Sequence, residues 1–236
     1  GVTPGKRTPD GSMYEWDFNS AVAVKVIDKL KGYVDVTTVR LDDPLGKKDI
    51  ALSTRTTVAN SCNVDAVISI HANAAGSGWS SAHGIETFVY TSPSSKSLEL
   101  AANVQNHLIR ETNLTNRGVK KGNLHMVRET QAPSILVECG FMTNKDEAKL
   151  LKSDHFREKC AIAIVKGIVE TFKLNPKRKG VASVKVEQGT LNAIEKLANY
   201  GIMQKGYEVT KDYEIPLISM MNGLVKAIEE GKLKVK

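Results

Sequence analysis

The 236 residues are 41% hydrophobic, 6% aromatic and 25% charged, which excludes a disordered or fibrous chain and leaves room for one full globular domain plus a small module. No apolar run approaches the roughly 18 residues of a membrane span. The formal charge of +7 suits loose attraction to an anionic polymer. No Lys/Arg helix interleaved with aromatics points to nucleic acid.

Residues 1–11 are rich in Gly, Pro and Thr and read as loop. Ser12 then opens a helix to about Lys31, with Phe18, Ala21, Val22, Val26 and Leu30 at helical spacing. Residues 34–41 are β-branched and read as a strand, 42–46 as a turn and 50–62 as a second helix. Residues 65–70 form an apolar strand, 74–83 a Gly/Ser loop and 85–90 another strand. Ser94 or Ser95 caps a helix running to about Asn113. Residues 116–123 read as basic loop, 124–127 and 134–137 as short strands, and 145–151 and 154–172 as helices. This alternation predicts an α/β domain with a mostly parallel twisted sheet and helices on both faces, over residues 1–174. A Pro- and Gly-bearing basic linker at 175–183 then leads to a small helical module at 184–236, with apolar stripes at Leu191, Ile194 and Leu197 and at Leu217, Met220, Met221 and Leu224. Two short helices make a marginal core, so this module calls for a partner surface, a second copy included.

The chemistry concentrates in two strands. Asp65-Ala66-Val67-Ile68-Ser69-Ile70-His71-Ala72-Asn73 delivers a histidine at a strand end, and Ile135-Leu136-Val137-Glu138-Cys139-Gly140-Phe141 delivers a carboxylate. Ligands of open α/β sheets bind where strands end. A histidine and a glutamate brought there are the usual parts of a zinc hydrolase. The plainer alternatives are a hydrogen-bonded structural histidine and a Glu138–Arg128 salt bridge. Cys139 invites a thiol nucleophile with His71 or His125 as base, although free cysteine is more often a buried small hydrophobe. Three cysteines without metal-type spacing read as free thiols made in a reducing compartment.

Ser69-Ile70-His71-Ala72-Asn73, Val137-Glu138-Cys139-Gly140-Phe141-Met142-Thr143-Asn144 and Glu15-Trp16-Asp17-Phe18-Asn19 together resemble the internal motifs of the zinc-dependent N-acetylmuramoyl-L-alanine amidases (the Amidase_3 family), phage endolysins among them. The resemblance spans about three quarters of the chain. It implies zinc held by Glu15 and His71, with a further histidine and one sheet strand lying upstream of Gly1. It assigns Glu138 as general base and implies peptidoglycan as substrate. Against the ligand role, Ser12-Met13-Tyr14-Glu15 also reads as a capping box in which Glu15 reaches back to its own helix start. His125 and Arg128 are candidates for substrate contact, Arg128 as a cation for a carboxylate.

On this reading the protein accumulates in a host cytoplasm and acts at the bacterial cell wall, causing lysis. Its C-terminal module binds the wall, anionic wall polymers included, or forms a homodimer. The rival functions are a zinc peptidase acting on peptidoglycan cross-links and a non-catalytic wall-binding protein.

Overall fold

The computed structural model describes residues 7–177; the linker beyond Lys177 and the predicted helical module lie outside them. In chain order the elements are α1 (Glu15–Leu30), α2 (Leu52–Ser61), β1 (Val67–Asn73), β2 (Ile85–Val89), α3 (Ser95–Thr112), β3 (Asn116–Lys121), α4 (His125–Glu129), β4 (Ser134–Phe141), α5 (Lys145–Lys152) and α6 (Asp154–Phe172). The four strands form one sheet in the order β1-β4-β2-β3. β1 runs parallel to β4 and β2 parallel to β3, as the alternation of strands and helices predicts. The central pairing, β2 on β4, is antiparallel.

Side-chain alternation gives the sheet two different faces. Ile135, Val137 and Cys139 of β4 point into the main core with Phe18, Val22 and Val26 of α1, Leu100, Val104 and Leu108 of α3, and Cys160, Ile164 and Ile168 of α6. The opposite face carries Val67 of β1, which packs with Ala59 of α2 and Met126 of α4. Helices therefore cover both faces. On this second face, however, the cover lies over the start of β1, leaving Ser69, His71 and Glu138 as half-buried positions.

Local chemistry accounts for the departures from the predicted elements. Residues 34–41 form no strand: beyond an isolated bridge from Tyr33 to Pro176 they have no ladder partner among the described residues, and β-branched composition alone cannot hold an unpaired strand. Residues 116–121, expected as loop, make the edge strand β3; its exposed, basic pattern is how edge strands resist further pairing. The expected strand at 124–127 is helix α4 instead. Its adjacent apolar residues Met126 and Val127 are both buried, and Thr130 Oγ1 closes the turn by donating to the Met126 carbonyl at 2.6 Å. The β4 strand runs on to Phe141, four residues past its predicted end.

The closest helix contact depends on one missing side chain. A Cβ on Gly167 of α6 would lie 2.5 Å from Val104 Cγ2 and 2.7 Å from both Val104 Cα and N on α3. In an ordinary helix Gly→Ala is worth about 1 kcal/mol of added stability. Here the obstacle is backbone, so the sign reverses. Gly167→Ala is expected to destabilise the protein by about 1–3 kcal/mol, seen in thermal denaturation as a melting point several degrees lower.

Candidate active site

The approach to α1 decides where Glu15 points. Thr8 and Met13 close a loop through Thr8 N–Met13 O at 2.9 Å and Met13 N–Thr8 Oγ1 at 3.1 Å. Within it, Asp10 Oδ1 accepts from Ser12 N at 3.0 Å and Ser12 Oγ at 2.7 Å. These bonds from Ser12 lower the Asp10 pKa to about 2. Ser12 is thus engaged inside the loop, and the helix starts two residues later than a Ser12 cap requires. Tyr14 is the N-cap, and its N–H donates to Asp17 Oδ2 at 2.8 Å. Asp17 does the capping in place of Glu15.

Glu15 is consequently the first residue of α1, and only 6% of it is exposed. Its Oε1 lies 2.7 Å from His71 Nδ1 at the end of β1 and 3.4 Å from Asn19 Nδ2 one turn on. The other imidazole nitrogen, Nε2, is 2.9 Å from Ser69 Oγ, two residues back on the same strand face. Carboxylate and hydroxyl hold the ring from both sides and fix its plane.

Register brings the second glutamate alongside. His71 is the cross-strand partner of Glu138, and Glu138 is in turn the partner of Glu86 on β2. Directly opposed residues share a face, with Cβ atoms about 4.5–5.5 Å apart. His71, Glu138 and Glu86 thus form a row across three strands, and Glu138 is the one residue of β4 that is not fully buried. The structure therefore brings together Glu15 and His71 by direct contact, and His71 and Glu138 by register.

The other candidates sit elsewhere. His125 Nε2 is 3.3 Å from Thr56 Oγ1 of α2. Arg128 pairs with Glu129 at 2.6 Å and donates to Asn123 Oδ1 at 2.8 Å, so the salt bridge considered for Glu138 goes to a sequence neighbour instead. Cys139 is fully buried on the core face, away from the row. Contact with Cys160, reinforced by burial, pushes its thiol well above the usual range. A thiol so placed is no nucleophile.

Two residues, Glu86 and Asn19, have surroundings that no sequence pattern records. Glu86, 5% exposed, is held by Asn73 Nδ2 at 2.8 Å and by Arg117 Nε and Lys120 Nζ at 2.6 Å each. Burial alone would raise its carboxyl, but the hydrogen bonds and charges of Lys120 and Arg117 outweigh burial and hold it below the usual range. Asn19, the last residue of the Glu15–Asn19 motif, stands one turn beyond Glu15. Its Oδ1 is buried and accepts no hydrogen bond among the described residues.

Zinc accepts the donors gathered here. Glu15 offers a carboxylate oxygen and His71 an imidazole nitrogen, and the open acceptor of Asn19 adds negative potential beside them. Among the described residues no group of three or more His, Cys, Asp or Glu side chains is arranged to hold a metal ion; catalytic zinc usually takes three protein donors, and Glu15 and His71 have the chemistry of two of them.

An open α/β sheet with these motifs at its strand ends defines a hydrolase of the cell-wall amidase type. The chain belongs to the N-acetylmuramoyl-L-alanine amidase family, whose pattern matches residues 1–170. The N-acetylmuramoyl-L-alanine amidase from Clostridium difficile 630 superposes with a TM-score of 0.68 at 32% identity, over 73% of this chain and 91% of that one. YqiI, an uncharacterised protein of Bacillus subtilis strain 168, is 35% identical over 158 residues, 66% of this chain and 73% of its own length. The endolysin of Bacillus phage SPP1 is 34% identical over 135 residues, 55% of this chain and 48% of its own. No helix among the described residues is long and apolar enough to cross a membrane.

Proposed function

We infer that the chain is a zinc-dependent amidase that cleaves the bond between the lactyl group of N-acetylmuramic acid and L-alanine of the stem peptide. The observation that carries this reading is the 2.7 Å contact of Glu15 with His71, with Glu138 in register beside it. Glu15 and His71 would hold the zinc, as two of the protein donors that catalytic zinc takes. When bound, zinc polarises the scissile carbonyl and makes water acidic enough to ionise near neutrality. Ser69 and Glu15 orient His71. Glu138 takes the proton of the attacking water and delivers it to the alanine nitrogen as the C–N bond breaks. Both roles suit a carboxylate that is partly shielded from solvent. His125 and Arg128, on α4, belong to the outer substrate wall.

The C-terminal module is proposed to hold the enzyme on peptidoglycan or anionic wall polymers, which raises its effective concentration on an insoluble substrate. A homodimer through its apolar stripes is the alternative, tested by light scattering on the full chain. The biological consequence is wall lysis by a protein made in the cytoplasm of a host cell.

Mass spectrometry of digested peptidoglycan tests the activity. New N-terminal alanine is expected; cleaved cross-bridges would assign a zinc peptidase instead. A chelator should abolish the fall in turbidity of a cell-wall suspension, and added zinc should restore it. Lysis indifferent to chelation would remove the metal from the mechanism, and wall binding without any cleavage would leave a binding protein.

A further inference from the structure

The edge strand β3 is irregular at the point where it meets Glu86. Ile85 pairs with Asn116, but Glu86 pairs with Gly118, so Arg117 is an extra residue bulged out of the ladder. Gly118 has φ +81°, a backbone that suits glycine in such a bulge. In a regular strand residues 117 and 120 would face opposite sides of the sheet. The bulge cancels that alternation and turns both cations onto one face, where both reach Glu86 Oε2 at 2.6 Å.

Two cations meet on one carboxylate there. One buried carboxylate, already bonded to Asn73, needs a single cation to be neutral, yet it receives two. Both cationic side chains keep about a third of their surface in solvent, 34% for Arg117 and 39% for Lys120. Arg117 is braced further: its guanidinium carbon lies 5.0 Å from the centre of the Phe141 ring, and its Nη1 donates to the His83 carbonyl at 3.3 Å. The result is a preorganised pair of cations, both held by one buried carboxylate and both partly open to solvent. It adjoins Glu138, because Glu86 is that residue's cross-strand partner.

We propose that Arg117 and Lys120, anchored by Glu86, form a subsite that binds a carboxylate of the stem peptide and selects substrates carrying one. This rests on the amidase reading for the identity of the ligand. β2 is two strands from β1, about 10 Å at the usual strand spacing. An extended peptide covers about 3.3–3.6 Å per residue. With the scissile amide between His71 and Glu138, the cations meet a group two to three residues along the stem, and a rigid pair of donors there suits a carboxylate over a carboxamide.

The test uses two N-acetylmuramoyl tripeptides that differ only in whether the second residue carries a carboxylate or a carboxamide. Binding is measured by titration calorimetry on the full chain in the Glu138→Gln background, so that turnover does not consume the ligand. The carboxylate peptide is expected to bind about tenfold more tightly. Lys120→Met should reduce that preference to less than about twofold, and Lys120→Arg should keep it. Lys121→Met, on the other face of the same strand, should leave it unchanged. Equal affinity for the two peptides, a preference that survives Lys120→Met, or no binding of either overturns the proposal. If the preference is present but the unmutated chain releases no N-terminal alanine from walls, the amidase reading fails and the carboxylate subsite stands.

Discussion

Replacing Glu138 by glutamine is expected to lower the rate of wall hydrolysis by about 10²–10⁴-fold, the usual contribution of a positioned general base, while zinc content and melting temperature stay as they were. Glutamine keeps the volume and one acceptor oxygen but cannot take a proton. The side chain is half-buried at the centre of β4, with Val137 and Cys139 on either side packed into the core. The neighbouring core positions are untouched, so loss of activity cannot be ascribed to unfolding. The contrast with His71→Ala is informative, since on the proposed assignment of His71 as a zinc donor its removal should lower both metal content and rate. A Glu138→Gln enzyme that retains more than about a tenth of the parent rate would remove Glu138 from proton transfer and reopen the assignment of the base.

Glu147→Ala is expected to cost about 2–5 kcal/mol of stability, the largest effect of any single substitution away from the row. Glu147 lies in the first turn of α5, where Asn144 Oδ1 caps the helix by accepting from Asp146 N at 3.0 Å and Glu147 N at 3.1 Å. The carboxylate is 4% exposed and favoured by the helix N-terminus. It joins two strands that run in opposite directions: Oε1 accepts from Gly84 N at 2.7 Å, just before β2, and Oε2 from Phe141 N at 2.6 Å, at the end of β4. Alanine strands both donors in a buried place, at about 1–3 kcal/mol each, and leaves a cavity besides. Denaturant unfolding should show a lower midpoint with little change in slope. An unchanged midpoint would mean that water replaces the carboxylate at no cost.

The parts of the fold that could be read in the sequence are those whose side chains report their own surroundings. β1, β2 and the start of β4 are short apolar runs, α3 and α5 carry side-chain caps, and α6 shows helical spacing. β3 was hidden because an edge strand has no buried face to leave an apolar pattern. Residues 34–41 show the converse: composition suggests a strand, but pairing is a property of two segments and cannot be seen in one. In the site, His71 and Glu138 were legible as polar residues in apolar runs, although Glu138 proves to lie at the centre of β4 and not at its end. The competing reading of Glu15 turned on a shift of two residues in the helix start, set by the hydrogen bonds of Thr8, Asp10 and Ser12 that no periodicity records. The convergence of Arg117 and Lys120 was invisible for a similar reason, since the bulge reverses the parity on which strand reading depends.

Because β2 runs against β4, the chain leaving β1 does not cross over the sheet before it re-enters. It arches across the end of β4 through residues 74–84, tacked down where Ala75 N and Ser80 N meet Thr143 Oγ1 and the Thr143 carbonyl at 3.0 and 2.8 Å. That arch is a parapet standing beside the row of His71, Glu138 and Glu86, with Trp79 39% exposed upon it. Related enzymes can therefore lengthen or redecorate it to suit differently dressed glycan strands without disturbing any strand order beneath.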